Sequence, residues 1–141
     1  MPGSRPEKVR AVLDRLGFET AQWAFPVVVT LHNLEEAVWF PSFWQNRSWH
    51  LPINALEFRI ATALVAILAY FVTYLSVRKG KKSIGAYMVA AFSTIMLLNA
   101  IWHVVATVYV QTYSPGVVTA VLLILPVTIY VLRRALHEGY I

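Results

Sequence analysis

One histidine and two glutamates lie close together inside an apolar stretch of the chain, where ionisable side chains are rare. His32, Glu35 and Glu36 have the spacing i, i+3, i+4, which places them on one face of a helix. Burying carboxylates in an apolar medium is costly unless they are paired, protonated or bound to a metal. Histidine and glutamate can ligate metals and transfer protons. The cluster is therefore the candidate centre of chemistry in this sequence.

A second group of polar side chains lies in a later apolar run. Asn99, Trp102 and His103 fall on one face of a helix. The helices that carry His32 and His103 are expected to cross the membrane in the same direction. Both histidines then lie at a similar depth, because a helix rises by about 1.5 Å per residue. We expect the two groups to face one cavity, with Asn99, Trp102 and Trp39 lining the substrate.

These residues support three kinds of activity. In the first, His32, Glu36 and His103 hold a divalent metal ion, zinc or iron, and Glu35 acts as the general base. The chain has no cysteine, so any metal must bind through nitrogen and oxygen ligands. In the second, a metal-free glutamate and histidine transfer protons, as in an isomerase or cyclase. In the third, a membrane glutamate couples proton flux to transport. We favour a metal enzyme of hydrolase or oxidoreductase type that acts on a lipophilic substrate.

The next apolar run begins with two further charged residues. Asn54, followed three residues later by Glu57, predicts a capping box at a helix N-terminus. Glu57 is also a candidate catalytic residue, because this helix begins near the cluster. Arg59 lies two residues further along this run, about half a helical turn. It is expected either to pair with Glu35 or Glu36 or to extend outward to the interface.

The elements that must position these residues are membrane-spanning helices. Of the 141 residues, 58% are hydrophobic and 13% are charged, whereas a soluble domain carries about 25% charged residues. A spanning helix needs about 20 mostly apolar residues. The single domain 1–141 has four runs of this kind, at 21–40, 55–77, 84–110 and 116–132. Residues 6–18 form an amphipathic pattern that predicts an interfacial helix. The predicted fold is an all-α, integral membrane four-helix bundle.

The basic residues assign an orientation to this bundle. Ten of the twelve lysines and arginines lie in the N-terminal arm, in the loop at 78–82 or near the C-terminus; Arg47 and Arg59 lie on the other side. Basic residues favour the cytoplasmic side, so we predict a multi-pass inner-membrane protein with both termini in the cytoplasm. The net charge of +5 then reflects topology and not nucleic acid binding. The expected partners are the lipid bilayer, a lipophilic small molecule and a second copy in a homodimer.

The segment LHNLEEAVWFP at residues 31–41 resembles the motif of the HXXEE membrane proteins. In this sequence the motif consists of His32, Glu35 and Glu36. The resemblance implies a small membrane protein with a compact four-span layout. It supports the position of the site and implies no particular reaction.

A second, more local resemblance is to the emopamil-binding superfamily of sterol isomerases. Those enzymes have one helix with H-x-x-x-E, here His32 and Glu36, and another with N-A-x-W, here residues 99–102. The resemblance implies proton transfer by His32, Glu36 and Glu57, with Asn99 and Trp102 stabilising a cation. The sequence departs from that pattern because its N-A-x-W helix is the third of four and not the last.

Overall fold

The computed structural model describes residues 16–45 and 52–141, which form helices joined by short turns. No strand occurs in these two ranges. The helices are α1 (Phe18–Ala21), α2 (Ala24–Gln45), α3 (Ala55–Lys79), α4 (Ile84–Val110) and α5 (Val117–His137). The last of these contains a π-helical segment, Ala120–Ile124. The predicted interfacial helix at 6–18 lies almost entirely outside the described residues.

The four long helices pack as a closed bundle. Helices that are neighbours in sequence are neighbours in space, and α5 returns to contact α2. Three of them, α3, α4 and α5, are long and apolar enough to cross a membrane. The remaining long helix, α2, has 22 residues and carries the polar cluster. The predicted all-α membrane bundle is confirmed, whereas the cytoplasmic location of both termini stays a prediction.

Small side chains lie at several of the places where the helices meet, beside larger buried residues such as Phe25 and Ile124. Ala69 and Ala100 are fully buried, whereas Leu64 is 59% exposed on the outer surface. At Gly85 the backbones approach so closely that an added Cβ would lie 2.5 Å from the backbone nitrogen of Ser76. Small residues inside and large apolar residues outside are typical of helices that associate in lipid. The described helices therefore agree with a membrane environment.

An arginine from α3 contacts the C-terminal part of α2. The helix continues through Pro41, which has no N–H and leaves the carbonyl of Ala37 without its usual donor. Arg59 Nε donates a hydrogen bond to that carbonyl oxygen at 3.1 Å. Within the described residues Arg59 forms no ion pair with either glutamate of the cluster. Of the two roles considered for Arg59, pairing with a glutamate is therefore wrong, and the arginine satisfies the backbone instead.

The end of the bundle where α2 begins is closed by the C-terminal tail. Both carboxylate oxygens of Glu138 accept a hydrogen bond from the backbone nitrogen of Phe18, at 3.0 Å each. Arg134 Nη2 lies 2.7 Å from Glu138 Oε1. The hydroxyl of Tyr130 donates to the carbonyl of Leu16 at 3.0 Å. These contacts hold α1 and the residues just before it against α5.

Candidate metal centre

The first half of the site comes from one face of α2. His32 is fully buried. Its Nε2 atom lies 3.9 Å from Glu36 Oε2, and the Glu36 side chain is 14% exposed. A separation of four residues brings the two side chains together because a helical turn contains 3.6 residues. The predicted pairing of His32 with Glu36 is therefore present.

The second half comes from α4. His103 is 4% exposed, and its Nε2 atom lies 3.1 Å from Glu36 Oε1. The two imidazole rings are 5.0 Å apart between centroids, at an interplanar angle of 83°. Asn99 places its Oδ1 atom 3.0 Å from His32 Nε2. The predicted convergence is therefore observed for His32, Glu36 and His103, with Asn99 beside them, but not for Glu35.

The donor set of His32, Glu36 and His103 fits a divalent cation. One ligand atom from each residue lies within 4.8 Å of the other two. A tetrahedral ion with bonds of about 2.0–2.2 Å needs ligand atoms a little over 3 Å apart, so small side-chain rotations suffice. Among the described residues His103 Nε2 has no hydrogen-bond partner, since its 3.1 Å contact with Glu36 lacks hydrogen-bond geometry. A buried nitrogen without a hydrogen bond is what a metal ligand presents.

Glu35 faces a different set of partners. Its Oε2 atom accepts hydrogen bonds from the Thr119 backbone nitrogen at 2.9 Å and from the Thr119 hydroxyl at 2.6 Å. Its Oε1 atom accepts from the hydroxyl of Tyr113. Both oxygens are thus engaged by α5 and the turn before it, and Glu35 is not part of the three-ligand group. A general base needs an oxygen that faces the substrate, so this geometry supports a different role.

Tyr113 is a stable hydrogen-bond donor in this arrangement. Burial, followed by the hydrogen bond to the Glu35 carboxylate, raises the pKa of Tyr113 to about 12. Both effects disfavour the phenolate, because partial burial removes some of its hydration and it would face a carboxylate. The hydroxyl proton therefore stays in place through the physiological pH range. It ties the turn between α4 and α5 to α2.

Gly116 gives His103 the space it occupies. Its φ angle is +92°, and an added Cβ would lie 2.6 Å from Cε1 of the His103 ring. A side chain at this position would be strained by its backbone conformation and would collide with the imidazole. The turn at 114–116 therefore both starts α5 and forms a wall of the site.

Two cavities border the group, and neither of them contains all the side chains that were expected to face one cavity. The larger, of about 370 Å³, is lined by His103, Ser114 and aromatic side chains: Phe40, Phe43, Trp44, Trp102 and Tyr109. The smaller, of about 300 Å³, is lined by His32, Glu36 and Asn99 together with Asn33 and Thr62. Of the residues predicted to contact the substrate, Trp102 lines the larger cavity and Asn99 the smaller. Trp39 lines neither of them and is 58% exposed.

Glu57 is engaged elsewhere. Its Oε2 atom accepts from the backbone nitrogen of Asn54 at 2.8 Å, while Asn54 Oδ1 accepts from the Glu57 nitrogen at 3.0 Å. The predicted capping box is confirmed. The structure does not bring Glu57 into the three-ligand group, so its candidate catalytic role receives no geometric support.

Sequence patterns did not reveal three residues that shape the site. Thr119 and Tyr113 contact Glu35 from α5 and the preceding turn, and Gly116 contacts His103. Gly116 had a signal in the Ser-Pro-Gly turn, since a glycine there often has positive φ. Thr119 and Tyr113 had none, because nothing local distinguishes them from other membrane residues.

The comparisons with known proteins agree with the motif. Residues 23–131 match the family described as "Protein of unknown function with HXXEE motif". A relative, the uncharacterized protein YrkK of Bacillus subtilis (strain 168), is 34% identical over 119 residues, covering 83% of this chain and 75% of YrkK. No solved structure matches the chain significantly. His32, Glu35 and Glu36 supply the motif within the matched range, and the chain therefore belongs to the HXXEE-motif family.

Proposed function

We propose that this protein is a membrane-embedded, metal-dependent enzyme that acts on a lipophilic substrate at His32, Glu36 and His103. The observation that carries the proposal is the convergence of these three side chains within 4.8 Å between two helices of a membrane bundle. Two imidazole nitrogens and one carboxylate are a ligand set found at catalytic zinc and non-haem iron sites. A packing network would not need three ionisable groups, since each is costly to bury in a bilayer.

Each ligand has a distinct task. His32 and His103 approach from different helices, so together they hold α2 and α4 at the separation that the site requires. Glu36 lies between them and balances positive charge at their common point. A divalent ion bound there would supply Lewis acidity. Zinc would favour hydrolysis of the substrate by water, and iron would favour its oxidation by dioxygen.

The larger cavity supports a lipophilic substrate. Its lining is mostly aromatic and aliphatic, and His103 of the ligand group forms part of its wall. Trp102 and Tyr109 in this lining are 64% and 76% exposed on the outer surface of the bundle. A molecule dissolved in the bilayer can therefore reach His103 without passing through water. Apolar cavities with a few polar groups at one end are typical of sites that orient a mainly apolar ligand.

Filling this cavity is expected to impair ligand binding without changing the metal content. Ala106 lines the cavity, so Ala106→Phe places a ring where a hydrocarbon chain would lie. The control is Val108→Phe on the same helix, at a position that is 63% exposed and outside the lining. The measurement is photo-crosslinking of a diazirine-bearing fatty alcohol in nanodiscs, mapped by mass spectrometry. We expect labelling of cavity residues to fall several-fold in Ala106→Phe alone; equal labelling in both variants would contradict a chain-binding cavity.

Metal analysis tests the proposed function directly. Protein purified from metal-replete cells is expected to hold about one zinc or iron ion per chain, as a three-ligand site with one open position would. His32→Ala and His103→Ala are each expected to lower that content at least about tenfold, since two ligands hold an ion poorly. His137→Ala is the matched control, because His137 is exposed in the last turn of α5. Equal metal content in all four proteins would overturn the proposal.

One contact favours a second candidate, a metal-free isomerase or cyclase. His32 Nε2 lies 3.0 Å from Asn99 Oδ1, a distance that suits a hydrogen bond donated by a protonated imidazole. In that case Glu36 and His32 transfer protons to and from a substrate held beside Asn99. A protein that lacks metal but converts a lipophilic substrate, and loses this activity in Glu36→Gln, would select this candidate.

A further inference from the structure

The Thr119 hydroxyl joins a glutamate and a histidine of the motif. Its Oγ1 atom lies 2.6 Å from Glu35 Oε2 and 2.9 Å from His32 Nδ1. Glu35 and His32 both belong to α2, whereas Thr119 belongs to α5. The chain of contacts thus leaves α2, crosses to α5 and returns to α2. Thr119 Oγ1 is therefore in contact with both the Glu35 carboxylate and the His32 imidazole.

The number of hydrogens on Thr119 determines the direction of these bonds. A threonine hydroxyl has one hydrogen to donate and two lone pairs that accept. A carboxylate only accepts, and the 2.6 Å contact with Glu35 is that of a charge-assisted hydrogen bond. The Gly116 carbonyl, 3.3 Å from Oγ1, is also an acceptor, but the shorter contact to the carboxylate is the stronger one, so the single hydrogen points to Glu35. The remaining contact, with His32 Nδ1, must then be donated by the imidazole.

We infer that Glu35 and Thr119 hold His32 in the tautomer with hydrogen on Nδ1, which leaves Nε2 bare. The bare nitrogen faces Glu36 and lies beside His103. The inference rests on the proposed function in one respect: the metal that the bare Nε2 would bind is the metal of that proposal. Glu35 is a positioning residue in this account, since it acts on His32 through Thr119. Outer hydrogen bonds of this kind set the tautomer and orientation of ligating histidines.

The position of Thr119 is itself fixed by Glu35. Thr119 is the third residue of α5, and the residue before that helix, Gly116, has no side chain to cap it. Glu35 supplies the missing acceptor, because its Oε2 also binds the Thr119 backbone nitrogen at 2.9 Å. A carboxylate at a helix N-terminus satisfies a free N–H and opposes the positive end of the helix dipole. The hydroxyl is therefore held at one place relative to His32.

The groups that face the other side of His32 are compatible with a bare Nε2. Asn99 lies 3.0 Å away through its amide, and rotating that amide by half a turn would present an NH₂ group to the nitrogen. The opposite tautomer would place a lone pair of Nδ1 against an oxygen whose hydrogen already belongs to Glu35. That arrangement would leave two acceptors 2.9 Å apart without a hydrogen between them.

The test is the ¹⁵N NMR spectrum of histidine-labelled full-length protein in nanodiscs, after removal of metal with a chelator. The His32 signals are assigned by their loss in His32→Asn. We expect hydrogen on Nδ1 in the unmodified protein and in Thr119→Ser, which keeps the hydroxyl. Thr119→Val has the same shape without the hydroxyl and is expected to move the hydrogen to Nε2. Its affinity for Co²⁺ should fall about 10- to 100-fold, the usual effect of losing an outer hydrogen bond.

This test has its own control variant and its own contradicting results, which differ from those of the metal analysis. Thr128→Val removes a buried hydroxyl of the same helix that bonds only α5 carbonyls, and it should leave the tautomer unchanged. Hydrogen on Nε2 in the unmodified protein overturns the inference, even if Thr119→Val fails to fold. An unchanged tautomer in a folded Thr119→Val also overturns it. A protein with the predicted tautomer but without metal affinity contradicts only the proposed function.

Discussion

Glu36→Gln is expected to weaken metal affinity more than about 100-fold, whereas Glu35→Gln should weaken it only about tenfold, in keeping with a ligand and an outer partner respectively. Glu36 contacts both histidines of the ligand group, at 3.1 and 3.9 Å, and an amide is a poorer ligand for a hard cation. Glu35 reaches that group only through Thr119. The measurement is titration of the purified, metal-free variants with Co²⁺ in nanodiscs.

The free energy of unfolding should be lowered more by Glu35→Gln than by Glu36→Gln, the reverse of the order expected for metal affinity. Glu35 accepts three hydrogen bonds from Tyr113 and Thr119. In Glu35→Gln an NH₂ group replaces one of the two carboxylate oxygens, so a donor would point at another donor. We expect Glu35→Gln to lower the free energy of unfolding by about 1–3 kcal/mol, as for other unsatisfied polar groups. Glu36→Gln in the metal-free state should change it less. Two adjacent glutamates with equal effects on metal affinity and stability would contradict these distinct roles.

Gly116→Ala is expected to displace His103 and to remove most of the metal affinity. The added Cβ would lie 2.6 Å from the ring, a distance that real Cβ contacts do not reach. His103 is buried, and the ring can make room mainly by turning Nε2 away from Glu36. We expect Co²⁺ affinity to fall at least about tenfold, since the site would retain two of its three ligands. Tyr113 and Thr119 lie beside this turn, so thermal unfolding should be recorded with the titration.

Gly139→Ala is the control for backbone strain. Gly139 also has a positive φ, of +71°, but an added Cβ there would meet no atom within 4 Å. Both substitutions cost stability, because a residue with a side chain rarely adopts such a φ. Only Gly116→Ala should change Co²⁺ affinity. An affinity that fell equally in both variants would show that the effect is one of folding and not of contact with His103.

The sequence by itself determined the membrane class, the helices and the pairing of His32 with Glu36. Apolar composition and length predict spanning helices because the bilayer core requires about 20 apolar residues per helix. The structure has long helices in all four predicted runs, and α4 has the predicted bounds of 84–110. The capping box at Glu57 and the pairing within α2 also follow from local spacing. These features were predictable because residues separated by three or four positions meet within one helix.

Only the tertiary structure decided which partner each side chain meets on another helix. Spacing places Glu35 and Glu36 about 100° apart around the helix axis, but it does not say what lies in either direction. Packing turns Glu36 toward His103 on α4 and Glu35 toward Thr119 on α5. Arg59 likewise meets a carbonyl that Pro41 had left without a donor. These choices depend on how the helices rotate and slide against each other, and contacts between residues far apart in sequence set that rotation.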